Sequence, residues 1–163
     1  MVLVDSSALI PLLRIGRLNL LKSFFKKIVI TEQVYREIEE EKTGFSEVKK
    51  ACDAWIIIKN VERKEEIEEI SNSEGIEIAD ASLILLAQQQ KDILLLNDYG
   101  LIKVARAKGI ECWWLTKFII KCVIKKIIKK EEAKKILYGL VQKSMRLDSV
   151  VYSAILNEIE RLD

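Results

Sequence analysis

Short, uniformly apolar runs alternate with longer helix-like segments through the first 114 residues, and this rhythm most constrains the fold. Val2-Leu3-Val4, Ile28-Val29-Ile30, Trp55 to Ile58, Ile93 to Leu96 and Ile110 to Trp113 read as five strands. Between them lie helical patterns over Ser6 to Leu13, 17–26, Glu32 to Lys42, 62–71, 76–90 and 99–108. Thr31 stands where an N-cap belongs, and Ile76, Ala79, Leu83, Leu86 and Ala87 share one face of helix 76–90. A half-exposed strand alternates apolar and polar residues, whereas a strand buried on both faces does not. Runs of this kind belong inside a parallel sheet covered by helices on both sides. The pattern predicts βα units around a mostly parallel sheet of four or five strands, buried on both faces.

Past residue 114 the strands stop. Residues 115–129, 131–145 and 148–162 read as three helices, the last capped by Asp148. With one Pro and six Gly in 163 residues, no flexible linker separates this tail from what precedes it. The expectation is a single domain over 1–163, in which 1–114 form an α/β core and 115–163 a helical extension packed on it.

Composition removes whole classes of chemistry. The chain has no histidine, so an imidazole base, a Ser/His/Asp triad and a histidine metal ligand are all excluded. Cys52, Cys112 and Cys122 are odd in number and widely spaced, which suits reduced, buried thiols in a cytoplasmic protein rather than disulfides or a zinc clip. No apolar run approaches the roughly 18 residues of a membrane span, so no integral membrane association is expected. The N-terminus lacks the basic region of a signal peptide. Formal charge is +2, but that near-neutrality is a cancellation. Residues 1–114 carry 16 basic and 19 acidic groups, and residues 115–163 carry 11 and 6.

Four acids fall where ligands of a parallel sheet bind, beyond the C-terminal strand ends. Asp5 follows the first strand directly, and Asp98 follows the fourth across Asn97. Glu37 lies within the helix after the second strand, and Asp80 near the start of helix 76–90, behind the flexible stretch Ser71 to Gly75. Unit charges 4 Å apart repel by roughly 4 kcal/mol at an effective dielectric near 20. A cluster of carboxylates is relieved by a hard divalent cation, Mg2+ or Mn2+, which prefers oxygen ligands and retained water. Such a site is compatible with phosphodiester hydrolysis.

The segments Val2 to Ile10, Thr31 to Glu37, Ile78 to Ala87 and Leu94 to Asp98 resemble, in order and interval, the four landmarks of PIN-domain nucleases. The resemblance covers residues 1 to about 114. It implies an α/β/α sandwich and a Mg2+- or Mn2+-dependent endoribonuclease whose metal ligands match Asp5, Glu37, Asp80 and Asp98. Ser7 matches the small hydroxyl residue that often follows the first acid, and Asn97 fits the Thr/Asn-Asp pattern of the last motif. The family includes the ribonuclease toxins of VapBC-type pairs, which implies RNA as substrate, a cognate antitoxin and a homodimer. Many relatives place another acid at or soon after the position following the last aspartate, whereas here Tyr99 and Gly100 follow.

Each feature also has a plainer reading. Asp5 and Asp98 are positioned to cap the helices that begin at Ser6 and Tyr99. Glu77 stands about 60° from Asp80 around the helix, which suits either a site role or a solvated first-turn acid. Glu39, Glu40 and Glu41 read as a solvated face. Lys117, Lys121, Lys125 and Lys129 recur at i,i+4 opposite an isoleucine-rich face. Such a helix packs on a core, tracks a phosphate backbone or lies on an anionic membrane. Trp113-Trp114 suits a core contact, a dimer contact or base stacking. A PIN-like scaffold without activity, binding RNA or a protein partner, is the alternative function. An aspartyl phosphotransfer domain is disfavoured, because Ser7 occupies the place where one such class needs a second aspartate.

Overall fold

A strand of only three residues sets the plan of the molecule. In the computed structural model, which describes residues 1–143 and 145–162, β1 (Val2–Val4) lies at the centre of a five-stranded sheet. The order is β3-β2-β1-β4-β5, with β2 Ile28–Thr31, β3 Ile56–Lys59, β4 Ile93–Leu96 and β5 Cys112–Trp114. Every pairing is parallel. Val2, Leu3 and Val4 stand opposite Ile93, Leu94 and Leu95, and Leu3 also stands opposite Val29.

Alternate side chains divide between two cores, as a pleated strand requires. Val2, Val4, Ile28, Ile30, Ile56, Leu95 and Trp113 face one side. There they meet α1 (Ser6–Arg14), α2 (Asn19–Phe25), α3 (Glu32–Glu41), α4 (Phe45–Cys52), α8 (Leu115–Ile124), α9 (Lys130–Gln142) and α10 (Ser149–Arg161). Leu3, Val29, Leu94, Leu96 and Cys112 face the other side, against α6 (Ile78–Gln90) and α7 (Tyr99–Ala107). A third cluster joins Ile67 of α5 (Lys64–Glu74) to Ala81 and Leu85 of α6. Helix α6 is thus buried on two sides, which explains why its apolar residues overrun the single face expected. This is the three-layer α/β/α arrangement, with a C-terminal helical extension whose Phe118, Leu137 and Ile159 are fully buried in the larger cluster.

Several element boundaries differ from the sequence expectation. The fifth strand begins at Cys112 rather than Ile110, because Gly109 turns at φ +76° and the Ile110 N–H closes back on the Ala105 carbonyl. Ser71 to Glu74 are helical, not flexible; α5 runs through them and stops at the left-handed Gly75. The short helix α4 falls in a stretch without a clear sequence signal. Helix α8 ends at Ile124 rather than 129: Lys126 takes φ +57°, and the Ile127 N–H returns to the Cys122 carbonyl. The lysine series is therefore broken, with Lys125 and Lys129 flanking a turn instead of continuing a helix. The helix expected over 131–145 ends at Gln142, and Ser144 lies outside the described residues. No described helix is long and apolar enough to cross a membrane.

Candidate metal centre

The strand order reverses between β1 and β4. From β1 the chain runs to β2 on one side, while β4 lies on the other, and ligands of parallel sheets bind at such a switch point. Asp5 and Asp98 stand one and two residues past these two strands. They line a cavity of about 230 Å³ together with Ser7, Glu37, Glu77 and Asp80. Four separate chain segments thus bring five carboxylates to one rim. A larger hollow of about 440 Å³ lies around the start of β4. Its two acids are already engaged, Asp92 by the N-terminal ammonium and Glu111 by the Trp113 indole N–H.

The plain and the functional readings of the strand-end aspartates coexist. Asp5 caps α1: its Oδ2 accepts the Ser7 N–H at 3.1 Å and also the Ser7 hydroxyl. That hydroxyl in turn accepts the Asn97 N–H at 2.9 Å. A relay therefore runs from the end of β4 through Ser7 to the acid at the end of β1. Asn97 contributes through its backbone, and its side chain is not among those lining the cavity. Asp98 caps α7 through Oδ1, which accepts the Leu101 N–H at 2.7 Å. In each aspartate these bonds occupy one oxygen.

Glu37 and Asp80 arrive from helices. Thr31 caps α3 through the Val34 N–H, and the Arg14 guanidinium grips Glu41 with bonds of 2.7 and 2.9 Å, fixing α3 against α1. One turn back from Glu41, Glu37 accepts a 3.2 Å bond from the Gln33 amide. Gln33 also lines the cavity. It is a residue the motif reading missed, and its i,i+4 spacing from Glu37 was the available signal. Glu77 is the N-cap residue of α6 but makes no side-chain cap bond. Asp80 lies in that helix's first turn, where the dipole favours an anion.

The rim is electrostatically tense. Burial, then the neighbouring Asp5, Asp98, Glu77 and Glu37, pushes the Asp80 carboxyl up to about 6. Burial also raises Asp5, which is 8% exposed, against the lowering effect of its Ser7 bonds. Among the described residues no three His, Cys, Asp or Glu side chains converge closely enough to grip one ion. What the rim offers is a spread set of carboxylate oxygens around a cavity of about 230 Å³. That set fits a hard cation that keeps several waters, rather than a dehydrated cage.

Fold and rim together mark an α/β domain with an acidic cleft at its switch point, and comparison with known proteins names the family. The chain belongs to the PIN-domain family, whose model matches residues 1–161. PIN domains are generally nucleases that use divalent metals. The crystal structure of PAE2754 from Pyrobaculum aerophilum superimposes with a TM-score of 0.60, covering 76% of this chain and 95% of that one at 16% identity. At that identity the likeness concerns the fold alone. No curated protein matches the chain.

Proposed function

We propose that this chain is a Mg2+- or Mn2+-dependent endoribonuclease in which the spread carboxylates of Asp5, Glu37, Asp80 and Asp98 hold the metal together with waters it retains. The observation that carries the reading is the meeting of these four acids, from four chain segments, at one cavity over the sheet's switch point. A divalent cation bound there supplies Lewis acidity for water activation and neutralises charge developing on a phosphodiester. The remaining work falls to the chain. Ser7 and the Asn97 N–H orient the Asp5 carboxylate. Gln33 orients Glu37. Glu77, free of capping duty, adds negative charge beside the rim. The whole of residues 1–163 is read as one domain, cytoplasmic, homodimeric and, by analogy with the VapBC-type branch, inhibited by a cognate antitoxin.

Asp5→Asn and Asp98→Asn each keep a helix-capping oxygen while removing charge from the rim. Each variant is expected to lose RNA cleavage by more than about a hundredfold, because even supporting groups of metal ligands cost 10–100-fold. Circular dichroism checks that the fold persists. Cleavage that survives in both purified variants overturns the mechanism.

Tyr99 standing where many relatives place another acid favours a second reading, a scaffold without activity. Calorimetric titration with Mn2+ separates the two. Absence of specific binding up to millimolar metal supports the scaffold.

A further inference from the structure

Next to the rim stands a group that the carboxylate chemistry leaves unused. Tyr99 opens α7 directly after Asp98 and is 66% exposed. Its ring lies within 19° of parallel to the half-buried indole of Trp114, with centroids 6.5 Å apart. Trp114 ends β5, so it stands at the same edge of the sheet as the rim. The Lys103 ammonium, one turn along α7, rests 4.8 Å from the centre of the Tyr99 ring. An aromatic ring thus directly follows a cavity acid, the two Cα atoms being about 3.8 Å apart, and a cation stands one helical turn further on.

This combination matches a particular ligand chemistry. A nucleobase stacks on an aromatic face whatever its identity, and an ammonium beside it meets the negative phosphate of the same nucleotide. A protein-docking patch would instead present several hundred Å² of contiguous apolar surface. One ring set between Asp98 and Lys103 does not supply that. Base stacking also requires an unpaired nucleotide, since a duplex keeps its base faces covered.

We propose that Tyr99, backed by Trp114, is a stacking platform for one base of single-stranded RNA, with Lys103 contacting the adjoining phosphate. The platform holds the nucleotide next to the phosphodiester presented to the carboxylate rim, and in that respect it rests on the nuclease reading. Its binding role stands apart from catalysis.

The test measures fluorescence anisotropy of a short labelled single-stranded RNA in EDTA, where metal-dependent cleavage is silent. Tyr99→Ala is expected to weaken binding about tenfold, while Tyr99→Phe stays within about twofold of the parent. Tyr99 is exposed, so the alanine variant should fold, and a second arm leaves the protein unaltered. An oligonucleotide with abasic positions should bind the parent protein more weakly than the intact one, yet bind Tyr99→Ala equally. Lys103→Gln should lower the slope of log affinity against log salt by about 0.7. Equal binding by Tyr99→Ala and the parent, indifference to abasic positions, or absence of binding by the parent each overturns the platform. A separate Mn2+ cleavage assay isolates the nuclease reading. Tyr99-dependent binding without cleavage sinks the enzyme and keeps the platform; cleavage whose KM ignores Tyr99→Ala does the reverse.

Discussion

At the C-terminal edge of the sheet, acids from four segments are brought together and the pKa values of Asp80 and Asp5 are raised; along α8 and just past its end, lysines are spread out and given aromatic neighbours. Lys117 and Lys121 lie over the Trp113 ring at 5.3 and 4.7 Å, and Lys125 lies 3.9 Å from the centre of Phe24. On α9, Lys134 pairs with Glu131 and with Glu160 of α10. The lysines are stabilised where they stand, as charges on a packed surface usually are. Asp80 and Asp5 are not, and a charge held at an energetic cost in a cavity is the mark of a functional site. Density of charge alone would have pointed to the basic tail. The sign of its effect on stability points to the acidic rim.

Variants can break or sharpen that contrast. The largest effect is expected beneath the lysines, where fully buried Phe118 stacks on Phe25 at 5.7 Å and meets Phe24 edge-on at 5.5 Å. Phe118→Ala should cost about 3–5 kcal/mol in urea unfolding. A loss below about 1 kcal/mol would mean that the tail is not integral to the core.

Ser7→Ala acts on the rim instead. It removes the relay between Asn97 and Asp5, and should lower Mn2+ affinity and RNA cleavage by about 10–100-fold while leaving the protein folded. Unchanged metal affinity would show that Asp5 needs no such support.

Asp80→Asn should move stability upward. The folded Asp80 carboxyl is pushed up to about 6 from its ordinary value of 3.8, so between about pH 4 and pH 6 the folded chain binds more protons than the unfolded one. Stability therefore falls as pH rises through that window and remains lower above it. With divalent cations removed, Asp80→Asn should raise stability at pH 7 on the order of 1 kcal/mol, allowing for solvent screening, and flatten the slope. Thermal melts at pH 5 and pH 7 read this directly. A variant less stable than the parent at pH 7 would contradict the tension ascribed to the rim.

Lys121→Gln should do least, about 0.5 kcal/mol in the opposite direction. A gain in stability would place the lysine row in the same tense class as the acids.

The strands were legible because burial on both faces leaves little room for polar residues, and Asp5 and Asp98 were legible as acids at strand ends. Glu37 and Asp80 sit inside helices, where spacing alone does not tell a cavity acid from a solvated one, so they needed the family resemblance. The relay through Ser7 was not legible. It depends on a backbone N–H ninety residues away, which no side-chain motif encodes. Helix α4 was missed because it buries only Val48 and Ala51 and begins at Gly44 without a side-chain cap. The end of α8 was misplaced because its chain reversal uses a lysine at positive φ, and the isoleucine and lysine pattern runs on through the turn.

The pairing of β1 with β4 also orders assembly in time. Val2 and Ile93 are partners, so the central pair of the sheet closes a loop spanning more than half the chain. Contacts of such long sequence separation form late and slowly. During synthesis Asp5 and Glu37 leave the ribosome well before β4 exists, and Asp98 follows only after it. A partly made chain therefore holds the acids apart, and the rim is completed only when the residues through Asp98 are free to fold.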